Sequence, residues 1–402
     1  MNPDQQSLTI ELLKDPRTTA LLLAATLVVM AIATISPALS GLEGRFQNEP
    51  HAELLTRLLV PAPSLAVVLL APFAGAAADR FGKVRVLLIG VALFVLAGTA
   101  GFYLPSLISI LVSRLVLGAT VALIMTSHTA LIGECFEGER RLQIMGWQVS
   151  ARNFGGFAFI SVGGILASVS PQMTFLAYGI AGLFIPFIWF AFRNHKTAVA
   201  VDHRQVDQQA VDHSWIVPVM GISFFVCITV VTFFQMPTQL PFYMEQLGLE
   251  SASSTTIVLG VMTLSGGVAA LWTGWLKRMI GNPGLLSLGY AVMALGFGVL
   301  SASSELIPIT VAAAFIGIGF AILMPTFTAL LLDIAPANRR GTATGALAAG
   351  TSLGQVLSPF ISLPIVSSFG YETAFMSSTV LLVLLSGIAL VGKSLWPNSI
   401  FV

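Results

Sequence analysis

The chain has 402 residues, of which 56% are hydrophobic and 9% charged, with a formal net charge of +1. A soluble domain carries about 25% charged residues, so this composition excludes a soluble globular protein and marks an integral membrane protein. No basic tract with interleaved aromatics points to nucleic acid, and no phosphate-cradling Gly-rich loop points to ATP as a direct energy source.

The N-terminal stretch MNPDQQSLTIELLKDPR is polar and mixed in charge. It lacks the basic start and small-residue cleavage site of a secretory signal, so the first apolar run is expected to stay as a helix. A spanning helix needs ~20 mostly apolar residues. Six such runs fall at 18–40, 52–78, 84–104, 106–133, 142–169 and 172–192. Six more fall at 215–243, 252–276, 283–303, 306–332, 341–368 and 372–392. The expected fold is therefore an all-α integral membrane protein of twelve transmembrane helices in two six-helix bundles, residues 1–192 and 214–402. Residues 193–213 between them are polar, flexible and mixed in charge, as a cytoplasmic linker requires. The repeated Val-Asp-His within it (His203, His213) reads as linker composition rather than a metal site. Cys135 and Cys227 read as small apolar residues, not as a disulfide or metal pair.

Lysine and arginine set the orientation. With both termini cytoplasmic, that side holds fifteen of the nineteen basic residues. The outer side holds Arg45, beside the acids Glu43, Glu49, Glu250, Glu305 and Glu372. The remaining three, Arg57, Arg114 and Arg152, lie inside apolar runs.

An internal repeat organises the chain. A shift of 199 residues lays Met125-Thr-Ser-His-Thr-Ala-Leu131 on Met324-Pro-Thr-Phe-Thr-Ala-Leu330. The same shift puts Glu134 on Asp333, Arg140-Arg141 on Arg339-Arg340, Gly82 on Gly281, Gly118 on Gly317 and Gly155 on Gly354. One six-helix unit is used twice in the same orientation.

Residues 75–83, Gly-Ala-Ala-Ala-Asp-Arg-Phe-Gly-Lys, resemble the signature loop between helices 2 and 3 of the major facilitator superfamily, Gly-x-x-x-Asp-Arg-x-Gly-Arg/Lys. The degenerate copy Gly274-Trp-Leu-Lys-Arg278-Met-Ile-Gly281 and Arg114-x-x-x-Gly118 on the fourth run are similar to that family too, and the resemblance covers essentially the whole chain. It implies a secondary transporter that works by alternating access, not an enzyme. It further implies a small-molecule substrate, a monomer in the cell inner membrane, and a proton gradient in place of any cofactor. Read physically, Gly75 permits close helix approach, Gly82 supports a tight turn, and Asp79 and Arg80 cap a helix end. The repeat then nominates the ion pairs Arg80–Glu134 and Arg278–Asp333 as parts of a cytoplasmic gate, to which Lys83, Arg339 and Arg340 also belong.

Charges without a counterpart in the other half are the better candidates for specific function. Under the shift Arg57 meets Thr256, Arg114 meets Ala313, His128 meets Phe327 and Arg152 meets Thr351. Counted from Leu142 at 1.5 Å per residue, Arg152 lies about 15 Å into its helix, near the bilayer midplane. A central arginine costs roughly 2.5–3.5 kcal/mol even on the lenient insertion scale, and is tolerated facing a water-filled cavity or an anion. Arg152, with Asn153 beside it, is therefore expected to contact substrate. The competing reading is a structural bond to carbonyls or a buried acid. The resemblance assigns Arg114 to proton coupling, shared with binding. Arg57 is a further binding candidate, though it lies only about 6 Å from its helix end, within snorkelling reach of the surface. In the second half Gln235 and Gln239 share a face at i, i+4, while Gln355 lies on a small-residue helix; these amides suit the uncharged part of an amphipathic ligand.

The sequence departs from drug–proton antiporters in two ways. Leu21 to Ser40 holds no acid and the deep helix cores hold no Asp or Glu, leaving Glu53, His128, Arg114 or the substrate itself as coupling candidates. Phe159-Ile160 also stand where efflux proteins place Gly-Pro before Gly163-Gly164. Arginines without acids favour an anionic or amphipathic organic substrate. The stretch Leu240-Pro-Phe-Tyr-Met-Glu-Gln-Leu-Gly248 resembles the exporter branch and favours efflux. An uptake symporter or exchanger for an organic anion is the alternative, and a non-transporting sensor or embedded enzyme a remote one, since no catalytic or metal cluster is visible.

Overall fold

The first helix shows how the chain converts composition into boundaries. The Asp15 side chain accepts from the Arg17 backbone N–H at 2.9 Å, and Pro16 sits in the first turn, where a missing N–H costs nothing. The helix α1 (Pro16–Ala33) stops where Pro37 denies a donor to the Ala33 carbonyl, and a 3-10 turn at Ser36–Ala38 leads into α2 (Leu39–Arg45). The same effect splits the second apolar run. Pro61 and Pro63 separate a short α3 (Ala52–Leu58) from the spanning α4 (Ala62–Phe81). The single helix expected over 52–78 is thus two, and Glu53 and Arg57 ride on the short one.

Gly82, with φ +92°, turns the chain from α4 into α5 (Lys83–Ala100). The next helix, α6 (Leu107–Cys135), starts on a capping box between Ser106 and Ser109, and the Leu107 N–H also donates to the Glu49 carboxylate at 3.0 Å. Then follow α7 (Gly138–Val169), a 3-10 segment at Pro171–Leu183 and α8 (Phe184–Phe192). The fifth spanning helix therefore begins at Gly138, four residues before the expected start.

The second half comprises α9 (Ile216–Phe233), α10 (Gln235–Gln246), α11 (Ser251–Ser301), α12 (Leu306–Ile334) and α13 (Arg340–Leu395). Among the described residues, ten helical stretches are long and apolar enough to cross a membrane. Two of these, α11 and α13, run for 51 and 56 residues. At 1.5 Å per residue each measures about 75–85 Å, more than twice a hydrocarbon core of about 30 Å. Both break at a glycine of positive φ, Gly281 (+68°) and Gly370 (+82°), so each supplies two spans. Twelve transmembrane helices result.

This computed structural model describes residues 12, 14–193, 214–249, 251–336 and 339–395. The chain divides into two compact units, Met1–Asp207 and Gln208–Val402. Of the linker expected at 193–213, all but Arg193 lies outside the described residues, His203 and His213 included. Each unit turns large apolar side chains outward, among them Phe73 (72% exposed) and Leu271 (72%). In water such a surface would aggregate, whereas in lipid it is the solvated face.

The 199-residue repeat registers in packing as well as in sequence. A Cβ on Gly118 would lie 2.7 Å from Pro63 Cα and 2.8 Å from Ala66 Cβ. One on Gly317 would lie 2.9 Å from the Met262 carbonyl carbon and 3.0 Å from Ser265 Oγ. Residues 262 and 265 are the repeat equivalents of 63 and 66. Each unit thus brings its fourth spanning helix against its second through one glycine, where no other residue fits.

Candidate functional site

Arg114 is 1% exposed on α6 and joins three other parts of its unit. Its Nε donates to the Leu59 carbonyl at 3.1 Å, its Nη1 to the Tyr178 hydroxyl at 2.7 Å, and its Nη2 to the Ala31 carbonyl. The guanidinium also lies 5.2 Å from the Tyr178 ring centroid. Leu59 needs this donor because Pro63, four residues on, has no N–H to give. All three guanidinium nitrogens are committed to the scaffold, which corrects the expectation that Arg114 shares in substrate binding. Tyr178 is the partner that the sequence did not single out: its repeat equivalent is Ser377, and nothing in the linear pattern links it to residue 114.

Arg57 does not snorkel. It is 2% exposed, with Nη1 2.9 Å from Glu43 Oε2, Nη2 3.3 Å from Glu53 Oε1, and a further bond to the Glu53 carbonyl at 2.9 Å. Its place among the binding candidates is corrected accordingly: Arg57 ties α3 to α2. Glu53, a coupling candidate, is the partly exposed member of this cluster.

At the other end of the first unit, Glu134 pairs with Lys83, not with Arg80. Asp79 and Arg80 are exposed at the end of α4, and Gly75 is half-buried one turn earlier. Arg141 reaches back to the end of α6, donating to the carbonyls of Phe136 (2.9 Å) and Gly133 (2.7 Å). Among the described residues the second unit has no equivalent pair. The repeat puts Asn282 at the position of Lys83, and Asn282 is buried with its Oδ1 unpartnered. Arg278 and Asp333 are exposed and form no ion pair among the described residues, correcting the expected second gate pair. Arg339 is half-buried and Arg340 exposed at the start of α13.

Arg152 is different from every other described arginine in the membrane region. It lies 14 residues into α7 and 17 from its end, or about 21 and 25 Å along the axis, so its midplane depth survives the earlier helix start. Its Nε is buried without a hydrogen-bond partner, and the guanidinium forms no ion pair among the described residues. One turn earlier, at i−4, Gln148 donates through Nε2 to His128 Nε2 on α6 at 2.7 Å. The other His128 nitrogen, Nδ1, lies 3.0 Å from the Met125 carbonyl, which can only accept, so Nδ1 carries the ring proton. His128, fully buried, is thereby held as the neutral tautomer with both nitrogens satisfied. That geometry suits a packed polar residue better than a proton carrier. Gln148 is a member that the sequence reading omitted, although its spacing of four from Arg152 carries the signal. Asn153 is half-buried beside Arg152.

In the second unit the three named glutamines are all buried. Gln235 Nε2 donates to Ser378 Oγ at 2.8 Å, and Gln239 Nε2 to Ser362 Oγ at 2.7 Å. Gln355 is 8% exposed, with its Oε1 unpartnered. Phe233, two residues before Gln235, stacks on Phe320 with ring centroids 3.7 Å apart.

Twelve spans built from one duplicated unit, with buried cations at midplane depth and at the helix junctions, define a solute carrier of the membrane. The chain belongs to the Major Facilitator Superfamily, whose sequence profile matches residues 21–345 and again 278–397. It is 25% identical over 317 residues to multidrug resistance protein 2 of Bacillus subtilis, covering 75% of this chain and 77% of that one. It is 28% identical over 126 residues to the quinolone resistance protein NorA of Staphylococcus aureus, about a third of each chain. Its fold is similar to that of a D-xylose–proton symporter (TM-score 0.76, 17% identity, 96% and 98% of the two chains). It is also similar to that of a bacterial homologue of the human lysosomal transporter Spinster (TM-score 0.74, 12% identity, 95% and 97%). The protein is a membrane transporter of this superfamily, not an enzyme.

Proposed function

We propose that the chain exports a small anionic or amphipathic organic acid across the cell inner membrane by alternating access, as a monomer driven by the proton gradient. The observation that carries this reading is Arg152: a guanidinium at midplane depth, with a buried Nε that no described residue satisfies. A cation so placed is costly unless it meets an anion, and a carboxylate accepts from a guanidinium in the forked geometry that makes such bonds strong. The other two membrane-embedded arginines are neutralised or bonded by the scaffold, so Arg152 is left for the ligand. Export is favoured by the resistance proteins among the relatives. With His128 already satisfied at both ring nitrogens, coupling of proton entry to substrate exit falls to Glu53 at the outer end.

The test is transport by the purified chain in proteoliposomes with an acidic lumen, using benzoate, salicylate and nalidixate against tetraphenylphosphonium. Accumulation of the acids, lost in Arg152→Gln, is the expected result. Transport of the phosphonium alone would overturn the anion preference, and accumulation driven only by an acidic exterior would overturn export in favour of symport.

A further inference from the structure

We infer that the cytoplasmic end of the first unit holds a phosphate group, from a lipid headgroup or a soluble phosphate, between Lys14, Arg17 and Arg140. This site is independent of the transported solute.

A cavity of about 300 Å³ opens where α1 begins and where α6 gives way to α7. Leu12 and Phe136, both buried, give it apolar walls, and Lys14, Asp15, Arg17 and Arg140 give it polar ones. Side-chain contacts hold these parts together. Arg17 Cζ lies 5.9 Å from the Phe136 ring centroid, which fixes the start of α1 against the residue that ends α6. Arg141, in the first turn of α7, donates to the carbonyls of Phe136 at 2.9 Å and Gly133 at 2.7 Å. Those bonds also cover the negative end of the α6 dipole, which would otherwise repel an anion at this place.

The charge around the cavity is unbalanced. Among the described residues that line it, three cations stand against one carboxylate. That carboxylate is already engaged: Asp15 accepts from Arg17 Nε at 3.0 Å, from Nη2 at 2.7 Å and from the Arg17 backbone N–H at 2.9 Å. The neighbouring charges cancel, since Lys83 pairs with Glu134 at the same end of the unit. Lys14 and Arg140 are exposed, so the cavity is open to the interface. An excess of positive charge in a partly enclosed pocket concentrates anions there.

The spread of the donors selects among anions. A carboxylate offers two oxygens in one plane and suits a single fork, such as the one Asp15 already makes with Arg17. A phosphate offers three strong acceptor oxygens in different directions, which suits donors carried on three separate side chains. The location agrees. Pro16 opens a spanning helix, so the cavity lies at headgroup level on the cytoplasmic side, where basic pockets between helices take anionic headgroups. A phosphate bound there ties the start of α1 to the α6–α7 junction.

The experiment is equilibrium binding to the full chain, purified in non-ionic detergent and phosphate-free buffer. The probes are dioctanoyl phosphatidic acid, dioctanoylglycerol, which lacks only the phosphate, and inorganic phosphate. Saturable binding of phosphatidic acid is expected, with dioctanoylglycerol about tenfold weaker or more for want of charge-assisted bonds. Lys14→Gln/Arg140→Gln should weaken the phosphatidic acid about tenfold. Arg85→Gln/Lys277→Gln removes equal charge from exposed cytoplasmic positions outside the cavity and should change binding by about twofold at most. Competition by inorganic phosphate assigns the site to soluble phosphate, and binding of phosphatidic acid alone assigns it to a headgroup; either result supports the site. Equal binding of dioctanoylglycerol, equal loss in the two double variants, or no saturable binding of either phosphate probe overturns it. An unchanged melting temperature without probe reports an intact fold, and the single variants Lys14→Gln and Arg140→Gln carry the same test if the double variant does not fold.

Discussion

Replacing Arg114 by lysine keeps the charge and removes the geometry, which isolates what the guanidinium does. Arginine spreads three nitrogens over three acceptors in different segments: Ala31 on α1, Leu59 between α3 and α4, and Tyr178 in the 3-10 segment. An ammonium on a shorter reach serves one of them. The Leu59 carbonyl then has no substitute donor at position i+4, because Pro63 carries none. Two buried, charge-assisted bonds lost at about 1.5–3 kcal/mol each, partly offset by relaxation, give an expected loss of roughly 3–5 kcal/mol. Tyr178→Phe removes only the 2.7 Å bond and keeps the ring against the guanidinium, so about 1.5–3 kcal/mol is expected. The assay is thermal unfolding of the purified protein in detergent, where the lysine variant should melt roughly 5 °C lower. The double variant should cost about 1 kcal/mol or more less than the sum of the singles, since they break a shared bond. A lysine variant that melts with the wild type, or strictly additive singles, would refute the assignment of Arg114 as a clasp.

Gly118→Val and Gly317→Val should each abolish stable folded protein in size-exclusion traces, because the added carbons meet backbone of the neighbouring helix. Gly345→Ala, with open space around it, should be neutral in the same traces. Lys83→Glu should lower thermal stability and Glu134→Lys in the same chain should restore it, with a coupling of about 1 kcal/mol for this partly exposed pair. Arg278→Glu should leave the melting temperature unmoved; a drop as large as that of Lys83→Glu would show an unnoticed partner. At Asp15, burial pushes the carboxyl up, but the hydrogen bonds and charge of Arg17 outweigh it and hold it below the usual carboxylate range. A depressed folded-state value stabilises the protein above the unfolded value near 4 and loses that contribution as pH falls through it. The stability gap between wild type and Asp15→Asn should therefore close on acidification below about pH 4, and a gap constant from pH 7 to 3 would exclude this role.

The twelve spans, the duplication and its 199-residue register are decided by composition and by small residues, which are local or periodic properties. Lipid tolerates only apolar, internally bonded helices, so the spans are legible one at a time. Gly118 and Gly317 are legible too, because close helix approach admits a single residue type. The depth of Arg152 follows from counting along one helix. Partnership does not. Glu53 is legible as the i,i+4 neighbour of Arg57, but nothing along the chain says that Arg57 also takes Glu43, that Glu134 takes Lys83 over Arg80, or that Tyr178 meets Arg114 across 64 residues. Those choices depend on rotamers and on prolines that free particular carbonyls, and so exist only once the helices are packed. The same packing separates the arginines. By sequence Arg57, Arg114 and Arg152 are all charges without a counterpart in the other half, told apart only by depth; in the folded chain two are bonded into the scaffold, and Arg152 keeps a buried donor without an acceptor among the described residues.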